Sequence, residues 1–324
     1  MDRRTLLLAS TALAGAPFAA SAQTTWPNGT VHIVVPFASG GGTTDPLARI
    51  MADELGKLLN ASFVVENKPG ANGNIGAVYV KRAPADGQVL LFVGAGTLAT
   101  NPTLYKNPGF DSKKDFEAVV VVGNVPNILV VNPQVPATTV KEFVEYLKKS
   151  PGKLSYASTG NGSSMHTAGE LFAQTTQTTM THVPYTGAGT ATTDLLSGNI
   201  QAMFQLIPGI AEHVKAKKVK ALAVMAPQRS PSLPDVPTMA EAGFGDLESY
   251  TWLCFVAPKG TPKPVVDKLN ESVNKILAQP AFRERLVQMG VQPMGGTPAE
   301  FASFMDNEIK KWGEVVRRSG VVID

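Results

Sequence analysis

Short apolar runs alternate along this chain with longer stretches in which apolar residues recur every three or four positions, the periods of strand and helix. Residues 31–35 are a β-branched run, residues 38–44 a glycine-rich turn, and Asp45-Pro46 opens a helical stripe through Leu47, Ile50, Met51, Leu55 and Leu58. Residues 62–66 predict a second strand, 67–76 a turn-rich connection into a helix that ends near Lys81, and 89–93 a third strand. Strands that alternate with helices in this way argue for βαβ units and a largely parallel sheet.

Apolar runs at 116–122 and 127–131 are parted by Gly123-Asn-Val-Pro126, which predicts a crossing between domains, and a helix follows at 141–149. Strands at 154–157, 180–184, 200–206 and 219–225, with helices at 166–174 and 190–196, then repeat the architecture of the first part. The final third returns to the first domain with a strand at 251–257 and a helix at 264–279. Thr297-Pro-Ala-Glu300 forms a capping box before a long amphipathic helix with Phe301, Phe304, Met305, Ile309, Trp312 and Val316 on one stripe, stopped at Gly320. The expected organisation is a first domain of residues 23–124 and 228–324 around a second of residues 125–227.

The chemistry sits in the loops that follow the strands. In the first, Phe37, Ala38, Ser39, Gly40, Gly41 and Thr43 can present backbone N–H groups and a hydroxyl to an anion at a helix start. Asp45, at the same helix start, suits either an N-cap or a ligand contact. Gly94-Ala-Gly-Thr-Leu-Ala99 matches a dinucleotide fingerprint, but Asn101-Pro102 would break the helix that must follow, and this is the third strand of its unit. The simpler reading is a second backbone-lined loop, with Gly96 and Thr97 as its candidates. In the second domain, Thr159, Asn161, Ser163, Ser164 and His166 occupy one strand–helix junction and Thr186 and Gly187 another. Asp194, which faces either the cleft or solvent, and Gln205, on a strand, complete the candidates.

No lysine accompanies the first loop, so phosphoryl transfer is excluded as its chemistry. No G-x-S-x-G elbow is present, yet the closeness of Ser163 and Ser164 to His166 keeps a serine hydrolase as an alternative. His32, His166, His182 and His213 show no metal-binding spacing, and His32 and His182 lie in strands where a structural role is expected. Neither a metal nor a cofactor is expected. What survives is two domains whose polar loops point at one cleft without an assembled nucleophile, base or metal, a pattern that fits binding without chemistry.

Arg3-Arg4, an apolar run from Leu6 and Ala20-Ser21-Ala22 have the form of a signal peptide at 1–22 cleaved after Ala22. The apolar run falls short of the roughly 20 residues of a membrane span. The two arginines suit either a twin-arginine or an ordinary secretory signal. A net charge of +3, which falls to +2 without Asp2, Arg3 and Arg4, is too small to imply nucleic acid. The compact basic run Lys215-Ala-Lys-Lys-Val-Lys220 reads as a solvated helix end, with a phosphate-binding patch as the other possibility. Cys254 lies in an apolar strand and reads as core.

Several motifs stand in order: Val34-Val-Pro-Phe37 with the glycine loop and Asp45, Val65-Glu-Asn-Lys-Pro-Gly-Ala71, Tyr156-Ala-Ser-Thr-Gly160 with His166, and His182-Val-Pro-Tyr-Thr-Gly187. Asp235-Val-Pro-Thr238, Ala257-Pro-Lys-Gly-Thr-Pro262 and Glu308, Trp312 and Ser319-Gly320 follow. With them the chain resembles the receptors of tripartite tricarboxylate transporters, the Bordetella uptake gene (Bug) family, over nearly all of its length. The resemblance implies an α/β type II periplasmic binding fold: two Rossmann-like βα domains joined by a hinge, with the ligand cleft between them. It implies capture of a small carboxylate, aromatic acids included, by a monomer that hands it to the transporter's membrane components. It also implies that backbone amides of 38–44 hold the ligand carboxylate and that the loops at 159–164 and 185–187 grip the other end. One departure is a first loop of seven residues where the family commonly has six. A sensor that passes occupancy to a signalling partner would share the same site.

Overall fold

The structure, a computed structural model, describes residues 26–39, 43–245 and 247–324. The expected signal peptide and Gly40 and Gly41 of the first loop lie outside the described residues. The elements run β1 (Val31–Val35), α1 (Thr44–Leu59), β2 (Phe63–Asn67), α2 (Asn74–Lys81), β3 (Val89–Gly94), α3 (Asn101–Leu104) and β4 (Phe116–Val131). There follow α4 (Val140–Lys149), β5 (Ser155–Ser158), α5 (Ser164–Thr176), β6 (Thr181–Pro184), α6 (Ala188–Ser197), β7 (Ala202–Leu206), α7 (Ala211–Lys215) and β8 (Lys220–Val224). The chain closes with β9 (Tyr250–Pro258), α8 (Lys263–Leu277), α9 (Pro280–Gln288), β10 (Gln292–Gly295) and α10 (Pro298–Ser319).

The strands lie in the order β2-β1-β3-β9-β4-β7-β5-β6, with β10 and β8 also paired to β4. Pairs among β2, β1 and β3, and among β6, β5 and β7, are parallel, as alternation of strand and helix predicts. The returning strands make the centre antiparallel, so the expectation of a largely parallel sheet holds only for the two outer parts.

The two apolar runs expected at 116–122 and 127–131 form one strand, β4. Residues from Phe116 to Pro126 pair with β9, and those from Asn127 to Val131 pair with β7 and β8. The turn signal misleads because tertiary contacts use its residues in another way. A Cβ on Gly123 would stand 2.7 Å from the Gln292 carbonyl oxygen, so glycine there lets β10 approach, and Pro126 pairs with Tyr250 in register. Likewise the loop expected at 94–99 is helical. A π-turn over Gly96–Thr100 runs into α3, and Pro102 falls in the first turn of α3, where a missing N–H is tolerated.

Each half of the sheet buries apolar side chains on both faces. Helices α1, α8 and α9 cover one face of the first half through Leu47, Met51, Leu55, Leu269, Val273 and Leu286, and α2 and α10 cover the other through Ala77, Val80, Phe301 and Trp312. In the second half α4 and α5 pack Phe143 and Phe172 on one face, while α6 and α7 pack Leu195 and Ala211 on the other. Cys254 is buried in the first half with its thiol donating to the Val93 carbonyl, and burial raises its pKa, as befits core.

Helix α10 is capped as its sequence predicts. The Thr297 hydroxyl accepts from the Glu300 N–H, the Glu300 carboxylate accepts from the Thr297 N–H, and Gly320 ends the helix in the left-handed region. Its Glu308 is buried and takes both neighbouring indoles: Trp252 Nε1 and Trp312 Nε1 each donate to Oε2 at 2.9 Å. Replacing Glu308 by alanine strands two buried donors, so denaturant melts should show a loss of about 3 kcal/mol, and Glu308→Gln, which keeps an acceptor, should lose much less. Equal loss in the two variants contradicts this role.

Candidate functional site

Parallel strands leave their C-terminal ends at one edge, where the following helices begin and their first N–H groups lack intrahelical partners. Here both halves of the sheet turn that edge toward a shared cavity of about 550 Å³. Helix α1 brings Thr43 and Thr44, α5 brings Ser163, Ser164 and Met165, and α6 brings Gly187 and Ala188. Neither Thr43 nor Gly187 caps its helix with a side chain, and the first N–H groups of α6 have no hydrogen-bond partner among the described residues, whereas the Ser163 hydroxyl accepts from the His166 N–H at 3.3 Å. Three helix N-termini around one cavity favour negative charge inside it.

Of the sequence candidates, Phe37, Ala38, Thr43, Gly96, Thr159, Ser163, Ser164, Thr186, Gly187 and Gln205 line this cavity. Others stand behind the wall. Asp45 is buried in the first turn of α1, where Arg49 Nε and Nη2 donate to its two oxygens at 3.0 and 3.1 Å and Asn67 Nδ2 donates at 2.8 Å. It therefore fastens α1 to β2, Thr43 holds the N-cap position, and the Ser39 hydroxyl also accepts from Arg49. The Thr97 hydroxyl donates to the Asn72 carbonyl at 2.9 Å. Asp194 accepts from the Tyr185 hydroxyl at 2.6 Å and from Asn199, bracing the loop that carries Thr186. Asn161 lies on the α5 loop without lining the cavity.

His166 supports that loop from beneath. Its Nδ1 accepts from the Gly162 N–H at 3.1 Å, which places the ring proton on Nε2, 3.9 Å from a Glu170 carboxylate oxygen. The ring stacks on His182 at 4.2 Å, and His182 Nε2 lies 2.6 Å from the Ser158 hydroxyl. Burial, with the neighbouring His182 adding to it, lowers the His166 pKa to about 3, and burial lowers that of His182 to about 4. The Ser163 hydroxyl does not meet the His166 ring: it donates to the Gly160 carbonyl at 2.8 Å, while His166 Nδ1 accepts from the Gly162 N–H.

The two halves of the sheet come close at this point. A Cβ on Gly96 would stand 3.1 Å from the Gly162 carbonyl oxygen, and one on Gly162, whose φ is +80°, only 2.4 Å from Leu104 Cδ2. Sequence reasoning missed Asn72, which lines the cavity in the left-handed region at φ 49° and donates to Asn101 Oδ1 at 2.9 Å. Its place in Asn-Gly-Asn after Pro-Gly is the signal that could have found it. Also missed were Leu206, Ile207, Pro208, Leu253 and Met289 on the apolar wall, together with Thr251, Gln288 and Gly290. Lys215, expected in a solvated helix end, lines the cavity mouth with Glu212.

A family model for the tripartite tricarboxylate transporter family receptor matches residues 47–321. The chain is 34% identical over 297 residues to protein BugT of Bordetella pertussis, covering 91% of each chain. It superposes with a TM-score of 0.85 and 36% identity on an R. palustris protein solved with adipate, covering 92% of this chain and 99% of that one. On MatC from Rhodopseudomonas palustris with bound malate the TM-score is 0.81 at 33% identity, over 90% of this chain and 100% of that one.

Two outcomes are expected from this geometry. Gly162→Ala should cost about 2 kcal/mol in a thermal or denaturant melt, because a Cβ meets Leu104 and Asn72 at a positive φ, and an unchanged melt contradicts the close approach. An unfolded histidine titrates near about 6.5, whereas folded His166 and His182 stay neutral to about 3 and about 4. As pH falls, the unfolded chain takes up protons that the folded chain refuses. Stability is therefore full above about pH 6.5 and is lost progressively as pH falls toward the folded values. In urea titrations at about pH 7 and about pH 5, His166→Asn should lose less stability over that interval than the unaltered chain. An equal loss counts against the buried neutral pair.

Proposed function

Because the chain belongs to the tripartite tricarboxylate transporter receptor family, whose members are periplasmic solute receptors, we propose that its cleft captures a small mono- or dicarboxylate, aromatic acids included, and delivers it to the transporter's membrane components. The observation that carries this reading is the convergence of the N-termini of α1, α5 and α6, drawn from both lobes, on one cavity. Open N–H groups and hydroxyls suit a carboxylate without any proton transfer to it. The relatives solved with adipate and with malate make the same class of ligand the natural one to test here.

In this proposal the ligand contacts are Phe37, Ala38, Gly40, Gly41 and Thr43 from the first lobe with Gly96 beside them, and Thr159, Ser163, Ser164, Thr186, Gly187 and Gln205 from the second. Ser39, Asp45, Thr97, Asn161, His166 and Asp194 hold those loops in place. The lobes, expected from the sequence as residues 23–124 with 228–324 and residues 125–227, close by bending where β4 passes from β9 to β7 after Pro126 and where the chain re-enters the first half near Tyr250, because Leu233, Val236, Met239 and Leu247 still pack in the second half. The chain is exported by a signal peptide cleaved after Ala22, works as a monomer and performs no chemistry on its ligand.

Isothermal titration of the mature chain, freed of co-purified ligand by unfolding and refolding, against a panel of mono- and dicarboxylates is expected to give at least one acid with a Kd of about 10 μM or tighter. Silence across the panel sinks the reading. A fluorophosphonate probe should leave the protein unlabelled; labelling abolished by Ser163→Ala or Ser164→Ala would instead establish the hydrolase.

A further inference from the structure

Glu212 and Lys215 are the charged side chains among the residues that line the cavity. Both belong to α7, which leaves the end of β7 through a turn at Ile207–Gly209, so the wall between Gln205 and the charges is formed by Leu206, Ile207 and Pro208. From the other lobe Met289 and Gly290 close against the same turn, where a Cβ on Gly290 would stand 3.1 Å from Pro208 Cγ. The cavity thus joins hydroxyls and helix N-termini to an apolar stretch and then to a charge pair at the mouth.

The pair itself is loose. Lys215 Nζ lies 2.8 Å from a Glu212 carboxylate oxygen, with the side chains 51% and 83% exposed, and an exposed i,i+3 pair of this kind holds its partners weakly. Beyond it Lys217 and Lys218 are exposed and without an ion pair among the described residues, so the segment from Glu212 to Lys218 sets three lysines against one carboxylate. This segment beside the cavity is therefore net positive, which favours the approach of an anion that can compete with Glu212 for Lys215.

We propose that Lys215 selects for a second acidic group, so that the preferred ligands are acids whose two charges are separated by an apolar spacer. This rests on the carboxylate-receptor reading and deepens it. One carboxylate lies among the helix N-termini, the spacer lies against Leu206, Ile207, Pro208 and Met289, and the second carboxylate displaces Glu212 from Lys215. A short, hydroxylated diacid would leave the apolar wall uncovered. A monoacid of equal length would cover it and leave the lysine with its intramolecular partner.

The test titrates the mature chain with diacid and monoacid pairs of matched length: succinate with butyrate, adipate with hexanoate, and suberate with octanoate. In the unaltered chain at low salt, adipate or suberate should bind about tenfold tighter than its monoacid, and the ratio should shrink as salt is raised. Lys215→Ala should reduce the ratio to about twofold while leaving monoacid affinity and the melting temperature in place, and Lys215→Arg should restore most of it. A ratio that survives Lys215→Ala, or a loss shared equally by both acids, overturns the role of Lys215. Monoacids that bind as tightly as diacids in the unaltered chain overturn the proposal while leaving the receptor reading intact. If no acid binds, both fall together.

Discussion

One unbroken strand, β4, hydrogen-bonds into both halves of this molecule. Its first part lies beside β9 and its second beside β7 and β8, so neither half can change its strand register without disturbing the other. The constraint sets the geometry of everything at the sheet edge. Because both halves grow from the same strand, the C-terminal ends of their parallel strands, and the helix starts that follow them, open on a common space. Helix α10 adds a second tie: it packs on the first half and also takes a hydrogen bond from Gln174 of α5 to its Val315 carbonyl.

The cavity formed in this way is favourable to anions largely because the carboxylates near it are already engaged. Asp45, which would otherwise place a negative charge at the start of α1, is held by Arg49 and Asn67, and Asp194 is held by Tyr185 and Asn199. The paired histidines beneath the α5 loop stay neutral over the physiological range, so they fix the Gly162 amide without adding a charge that would vary with pH. What faces the cavity is then backbone, a few hydroxyls, an apolar wall and the Glu212–Lys215 pair. That division suits the binding of a small anion.

Much of this was legible in the sequence because it depends on local periodicity and capping. The strand and helix rhythm, the Thr297–Glu300 box, the stop at Gly320 and the core position of Cys254 follow from residues within a turn or two of one another. So do the loops that reach the cavity, since a glycine- or threonine-rich junction between strand and helix is a local pattern, and Thr43, Thr159, Ser164 and Thr186 were found in that way. The strand ladder through Gly123 and Pro126 and the helical turn at Gly96 were not. There, residues that signal a turn locally are used for close packing by distant partners, Gln292 and Tyr250 for Gly123 and Pro126, and Gly162 for Gly96.

By itself the sequence determined the element types, the placing of polar loops at strand ends and the absence of a phosphate-binding lysine, because each depends on neighbouring residues alone. Only the tertiary structure decided which loop residues face the cavity and which stand behind it. Asp45 and Asp194 carry the same charge that Glu212 carries, and Lys215 the same as Lys218; what separates them is the direction in which a folded backbone aims each side chain and the partner it meets there. Those are relations between distant parts of the chain, made by β4 and the helices packed around it, and local pattern carries no record of them.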